Sequence, residues 1–255
     1  MFTSKDDLKL LYGINMEIGK FFVDRKVPAN NLYWKERYLY INPMPGYLFI
    51  PLYTDIQYRL GFSKATLLSE AYVQFMEQIM HSIAKQEFEN ISLGKHVEEC
   101  VAITKPVCKN NDFLDDLQRY FAGQNIQRGI RFGTSIKALN RVDTYLFALC
   151  FFNFDEATKK KLIDAWHALM TFYLIEDDLD DIKKDFEAKE DNTILEAGLS
   201  DEGIKIVESF MDESYNVMNA VNPVFANRID YSWQTTDVRK IVDSFLKESG
   251  EKLIN

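Results

Sequence analysis

Apolar residues recur at three- and four-residue spacing along most of the chain, a period that predicts helices rather than strands. Over 4–23 the positions Leu8, Leu11, Tyr12, Ile14, Ile18, Phe21 and Phe22 trace one amphipathic face, with Ser4 or Asp6 as N-cap. A helix over 67–88 follows from Leu68, Ala71, Tyr72, Phe75, Ile79 and Ile83. After the turn residues Asn90, Ser92 and Gly94, a short helix over 97–103 ends ahead of Pro106, and Asn110, Asn111 and Asp112 cap the segment FLDDLQRYF. The run 136–152, with Leu139, Val142, Tyr145, Leu146, Leu149, Cys150 and Phe152, predicts a central apolar helix. Asp155 and Glu156 open the longest pattern, about 35 residues or roughly 50 Å of helix. Its buried stripe is Leu162, Trp166, Leu169, Phe172, Ile175, Leu179, Ile182 and Phe186. Gly198 and Gly203 bracket a turn, and Ser200 or Asp201 caps a helix running toward Met218. Asn222-Pro223 interrupts that helix, and a last one runs from Thr236 to Gly250.

One stretch breaks the helical texture. Tyr33, Trp34, Tyr38, Tyr40, Tyr47, Phe49, Tyr53 and Tyr58 crowd together, while Pro43, Pro45 and Pro51 forbid a continuous helix. RYLYINPMPGYLFIPLY reads as two extended runs around a Pro-Gly turn, a short aromatic hairpin or loop near 36–53. It caps the core or serves as a lid. No repeat, low-complexity tract or linker divides the chain, so residues 1–255 are expected to form a single all-α domain, a helical bundle.

Composition narrows the classes. At 47% hydrophobic residues the chain can bury a sizeable core, and 30 Lys plus Arg against 39 Asp plus Glu, a net charge of −9, excludes a general nucleic-acid surface. Cys100, Cys108 and Cys150 form no CxxC and are odd in number, the pattern of reduced thiols in a cytoplasm. No stretch reaches the roughly 18 apolar residues of a transmembrane segment. A homodimer is compatible with these features.

The chemistry gathers in FYLIEDDLDDIKKDFEAKEDN, residues 172–192. Asp177, Asp181 and Asp185 lie at i, i+4 and i+8, with Asp178 three before Asp181, so like-charge penalties of a few tenths of a kcal/mol per pair accumulate on one surface. Bound Mg2+ would offset them, because hard cations take carboxylate oxygens and recruit phosphates. On a helical wheel Asp178, Asp181 and Asp185 share one flank, whereas Asp180 points away toward Lys183 and Lys184. His167 lies further up that flank and reads as a polar core residue. Asn111, Asp112, Asp115 and Asp116 form a second acidic cluster, which the helix macrodipole explains as a first turn. Arg128, Arg131 and Lys137 follow it as candidate phosphate contacts. His81 follows Glu77 at the wrong interval for a di-metal helix, and it and His96 read as solvated or core histidines.

YLIEDDLDDIKKD resembles the second aspartate-rich motif of the trans-isoprenyl diphosphate synthases, Asp-Asp-x-x-Asp-x-x-x-Asp after an apolar helix; Asp177, Asp178, Asp181 and Asp185 match every fixed place. The resemblance extends at fold level to class I terpenoid synthases. It implies an all-helical fold with two metal-binding helices facing a pocket, Mg2+ ions holding an isoprenoid diphosphate, and prenyl transfer or ionisation to a carbocation between aromatic walls. The earlier aspartate-rich motif has only Asp55 in its place, Tyr173-Leu174 replace Phe-Gln, and no Gly-Lys segment follows Asp185. Three accounts stay open: a divergent prenyltransferase or terpenoid synthase, a non-catalytic binding or regulatory protein that keeps the fold, and an unrelated helical interaction domain.

Overall fold

The computed structural model describes residues 4–26, 40, 47–89, 91–126 and 131–253, all helix, turn and loop with no strand among them. Twelve α-helices are described: α1 (Lys5–Leu10), α2 (Met16–Asp24), α3 (Phe49–Arg59), α4 (Lys64–Leu67), α5 (Glu70–Glu89), α6 (Leu93–Thr104), α7 (Asn111–Phe121), α8 (Glu156–Ala188), α9 (Thr193–Ala197), α10 (Asp201–Val221), α11 (Pro223–Thr235) and α12 (Val238–Leu253). None of the described helices is long and apolar enough to cross a membrane. The chain divides into two compact units. The first comprises Met1–Lys5, Ile14–Phe132 and Arg141–Ile163, and the second Asp6–Gly13, Gly133–Asn140 and Asp164–Asn255.

In the first unit, α5 packs against α6 and against a 3-10 segment, Asp143–Phe151, all nine residues of which are buried. After Asp143 and Thr144 its sequence, YLFALCF, is apolar on every side and therefore has no amphipathic period to hold it as a surface α-helix. The tighter 3-10 winding replaces the α-helix expected over 136–152. Around it the aromatic rings form a continuous chain: Tyr72 lies 4.7 Å from Phe152 and 5.4 Å from Phe151, and Phe62 lies 4.9 Å from Phe152. Full burial of one such side chain stabilises by about 1.5–3 kcal/mol.

Of the aromatic hairpin expected near 36–53, residues 36–39 and 41–46 lie outside the described residues. Its C-terminal run is helical instead, the start of α3. Pro51 is the third residue of that helix, where backbone N–H groups have no intrahelical acceptor and their loss costs little. The single helix expected over 4–23 is also broken. Gly13 has a φ of +66°, and a Cβ there would meet Asn222 Oδ1 at 2.3 Å, so only glycine allows the approach.

In the second unit, Trp166, Leu169, Phe172, Ile175, Leu179 and Ile182 of α8 are buried as the stripe predicts, but Phe186 is half exposed and stacks edge-on against Phe245 at 5.3 Å. Asn222 ends α10 and caps α11, accepting from Phe225 N–H at 3.2 Å while its own amide donates to the Tyr12 carbonyl at 2.9 Å. Pro223 at the first position continues the chain as helix α11, which the Asn-Pro break had concealed.

Candidate functional site

Asp178 is 1% exposed and its Oδ2 accepts from the Thr193 N–H at 2.7 Å. Asn192 caps α9 and donates through Nδ2 to the Asp178 carbonyl and to Asp185 Oδ2, both at 2.8 Å. Asp178, Asp185 and Asn192 are thus one buried polar cluster, seven residues apart in each step, which anchors the returning chain. Asp181 is not brought into it and pairs with Lys184 at 2.7 Å. Lys183 bonds Glu248 at 2.6 Å, so neither lysine makes the pairing expected with Asp180. Asp177 is half-buried.

The flank expected to converge on Mg2+ is therefore divided between an internal cap and a surface ion pair. Among the described residues no group of three or more His, Cys, Asp or Glu side chains is placed to hold a metal ion. The residues present do not fit the ion set implied by the resemblance.

The second acidic cluster is also dispersed by its helix. Asp112 lies in the first turn of α7, capped by Asn110; Asp115 pairs with Arg119 at 2.8 Å. Asp116 is buried and meets the buried Lys159 at 3.1 Å. Asn111 opens the helix at its exposed end. Arg128 lies outside the described residues. Arg131 and Lys137 are exposed, and the Lys137 backbone N–H donates to Glu196 at 2.8 Å. Asp55, expected as the remnant of an earlier motif, is fully buried. It accepts from the Asn15 N–H at 2.8 Å and from Arg59 Nε at 2.6 Å.

The first unit contains a cavity of about 1190 Å³ between the end of α2 and helices α5 and α6. Its wall on α5 is made by Glu70, Gln74, Glu77, Gln78, His81, Ser82, Lys85 and Glu89. These recur at three- and four-residue intervals and so share one helix face, opposite Tyr72, Val73, Met76, Ile79 and Met80 in the core. An amphipathic helix has here turned its polar face toward an open cleft. From α2 come Phe21, Asp24, Arg25 and Lys26, and from α6 Glu99 and Ile103.

Arg25 organises the mouth. Its guanidinium grips Glu77 in a two-point fork, Nε to Oε1 at 2.5 Å and NH2 to Oε2 at 2.7 Å, and reaches Glu70 at 2.9 Å. Tyr40 OH donates to the same Glu77 oxygen at 2.6 Å. Desolvation alone would lower the Arg25 pKa, but the bonds to Glu77 and Glu70 outweigh it and hold the cation charged. Burial, then the Glu77 charge, pushes the Tyr40 phenol up, so it donates a proton and never competes as an anion.

Further along α5, Ser82 Oγ lies 2.8 Å from His96 Nδ1 and 3.3 Å from Glu99 Oε2, and Lys85 bonds Glu99 at 2.8 Å. His96 is fully buried with Thr144 Oγ1 at 2.9 Å on its other nitrogen. Burial pushes its pKa down to about 4 against the pull of Glu99, leaving a neutral imidazole at pH 7. It is a core histidine, one of the two roles its sequence suggested. The Ser82 backbone lies inside α5, where amides already bond along the helix, so this pair lacks the free N–H donors of an acyl-transfer site. His167 accepts from the Gly133 N–H at 3.2 Å in the second unit.

Sequence reasoning did not assemble this wall, although Glu77 and His81 had drawn attention. The available signal was the full polar stripe of α5 facing a second helix that ends in a charged pair, Asp24-Arg25. No family model, curated protein or solved structure matches the chain.

Proposed function

We propose that the chain is a helical binding protein whose first unit takes a small, polar organic cation into the cavity walled by α2, α5 and α6. The observation that carries this is the charge of the wall. Five carboxylates, Asp24, Glu70, Glu77, Glu89 and Glu99, face three cations, Arg25, Lys26 and Lys85. A cleft with an excess of one sign concentrates ligands of the other. Phe21 and Ile103 add an apolar edge suited to methylene groups. The reading belongs with a binding or regulatory role, and nothing in the wall supplies a nucleophile with an oxyanion site.

Spermidine is a direct probe. Millimolar spermidine is expected to raise Tm, since a ligand of the native state alone stabilises by mass action, about 2.7 kcal/mol at a hundredfold excess over Kd. Gln78→Trp, which narrows the cavity without touching the Arg25–Glu77 fork, is expected to reduce the shift while leaving the unliganded Tm within a few degrees. Equal shifts in both proteins would overturn the cavity as the site.

A second reading, Mg2+-assisted processing of an isoprenoid diphosphate, rests on the sequence spacing of Asp177, Asp178, Asp181 and Asp185 alone, since Asp178 and Asp185 are engaged in the cap and Asp181 in its pair with Lys184. It requires pyrophosphate with Mg2+ to raise Tm, and requires Asp177→Asn to remove that gain. The two probes separate the readings, because spermidine and pyrophosphate carry opposite charge.

A further inference from the structure

Cys108 follows the 3-10 turn Lys105–Val107 and is half-buried; Cys150, fully buried, lies one residue from the end of Asp143–Phe151. Both belong to the first unit. Their backbones are joined directly: the Lys109 N–H donates to the Cys150 carbonyl at 2.8 Å, and the Cys150 side chain lies near enough to act on the Cys108 sulfur. Lys109 Nζ also sits 4.0 Å from the centre of the Phe151 ring, so the residues after both cysteines are tied as well. The bond from Lys109 brings the backbone of residues 108–109 alongside Cys150, the kind of neighbourhood a disulfide requires, since its Cα atoms lie about 4.4–6.8 Å apart.

The two thiols differ in chemistry. Cys108 is pushed down to about 6, first by the Cys150 hydrogen bond, with burial opposing and the Asn110 N–H assisting. Cys150 is pushed up, mainly by its burial and then by the same bond to Cys108. A reachable thiolate backed by a buried thiol is the arrangement in which one sulfur attacks and the second resolves. Cys100, the third cysteine, is buried beside His96 at 3.8 Å.

We propose that Cys108 and Cys150 form a reversible thiol–disulfide pair, with Cys108 the site of modification by low-molecular-weight disulfides and Cys150 the resolving sulfur. The Cys108 thiolate attacks one sulfur of glutathione disulfide, whose S–S bond breaks and releases one glutathione thiolate. Cys150 then loses its proton to the departing group and attacks the Cys108 sulfur of the mixed disulfide, expelling the second glutathione. Two electrons pass from the protein thiols to the glutathione disulfide, giving one protein disulfide and two molecules of glutathione. This inference is independent of the cavity reading, and no ligand is needed to test it.

The test uses the full chain, native, at pH 7.4 with glutathione disulfide, followed by alkylation and peptide mapping. The expected result is a Cys108–Cys150 crosslink with Cys100 left to be alkylated after denaturation, a rise in Tm of the oxidised form, and full reversal by dithiothreitol. In Cys150→Ala, which keeps an apolar side chain in the core, Cys108 is expected to stop at the mixed disulfide. The pH at which Cys108 alkylates half-maximally is expected to rise in that variant, a shift that a purely structural role for Cys150 would not produce. A mixed disulfide on Cys108 with no crosslink in the unmutated chain would overturn the proposal. So would a crosslink through Cys100, or no reaction short of unfolding.

Discussion

The Thr193 N–H donates to the Asp178 carboxylate at 2.7 Å, at a depth where water does not compete. Removing an acceptor from a buried donor costs its desolvation, about 1–3 kcal/mol. Asp178→Ala is therefore expected to lower stability by that amount in urea unfolding without any metal present. Asp181→Ala, which breaks only the surface pair with Lys184, is expected to stay within about 0.5 kcal/mol. Equal effects would contradict the division of the acidic flank. From the sequence, loss of either carboxylate promised slight relief of repulsion; the difference lies in Asn192 and Thr193, whose capping signature was legible but whose return onto α8 was not.

His96 carries a pH dependence with a definite sign. Its folded pKa of about 4 lies below the ordinary value of 6.5, so in this window the unfolded chain binds the proton more readily. The stability held by the neutral imidazole is complete above pH 6.5 and is lost as pH falls toward 4, amounting to about 3 kcal/mol across the window. His96→Gln, which can still bond Ser82 and Thr144, is expected to flatten that part of the stability profile. Parallel profiles for the two proteins would show that His96 is not the group responsible.

Among the elements, α8 ends in a defined turn. The Glu190 N–H donates to the Asp185 carbonyl at 2.9 Å and Lys189 takes a φ of +59°, the position where helices most often place glycine. Lys189→Gly is expected to raise stability by about 0.5–1 kcal/mol, since a side chain in the left-handed region is strained. Chemical denaturation would register it, and a loss would mean that the lysine side chain makes a compensating contact. This turn brings Asn192 back to Asp178 and Asp185, so what looked like a ligand set is the consequence of a helix end. Helices with a clean 3.6-residue stripe, α5, α8, α10 and α12, were legible because each buries one face. The segment Asp143–Phe151 was misread because a run apolar on all sides carries no period, and α11 was missed because Asn222-Pro223 stops one helix and starts another in the same two residues.

Across the whole molecule, the units are assembled from separated stretches of sequence, a feature that local patterns do not carry. Asp6–Gly13 and Gly133–Asn140 belong to the second unit while the residues between them belong to the first. Periodicity along 4–23 is continuous, and only the positive φ of Gly13 and its approach to Asn222 divide it. The cavity wall of the first unit was half legible for the same reason: α5 announces a polar face, but the cleft beside it depends on α2 and α6, which arrive from either side in sequence.

The Asn222 amide and the Tyr12 carbonyl that accepts from it are 210 residues apart. At synthesis rates of about 5–20 residues per second, the first helix leaves the ribosome on the order of ten to forty seconds before its companion does. Throughout that interval Tyr12 lacks both Asn222 and Phe225, the ring it stacks on at 6.2 Å, so a segment made long before them finds its native place only after them.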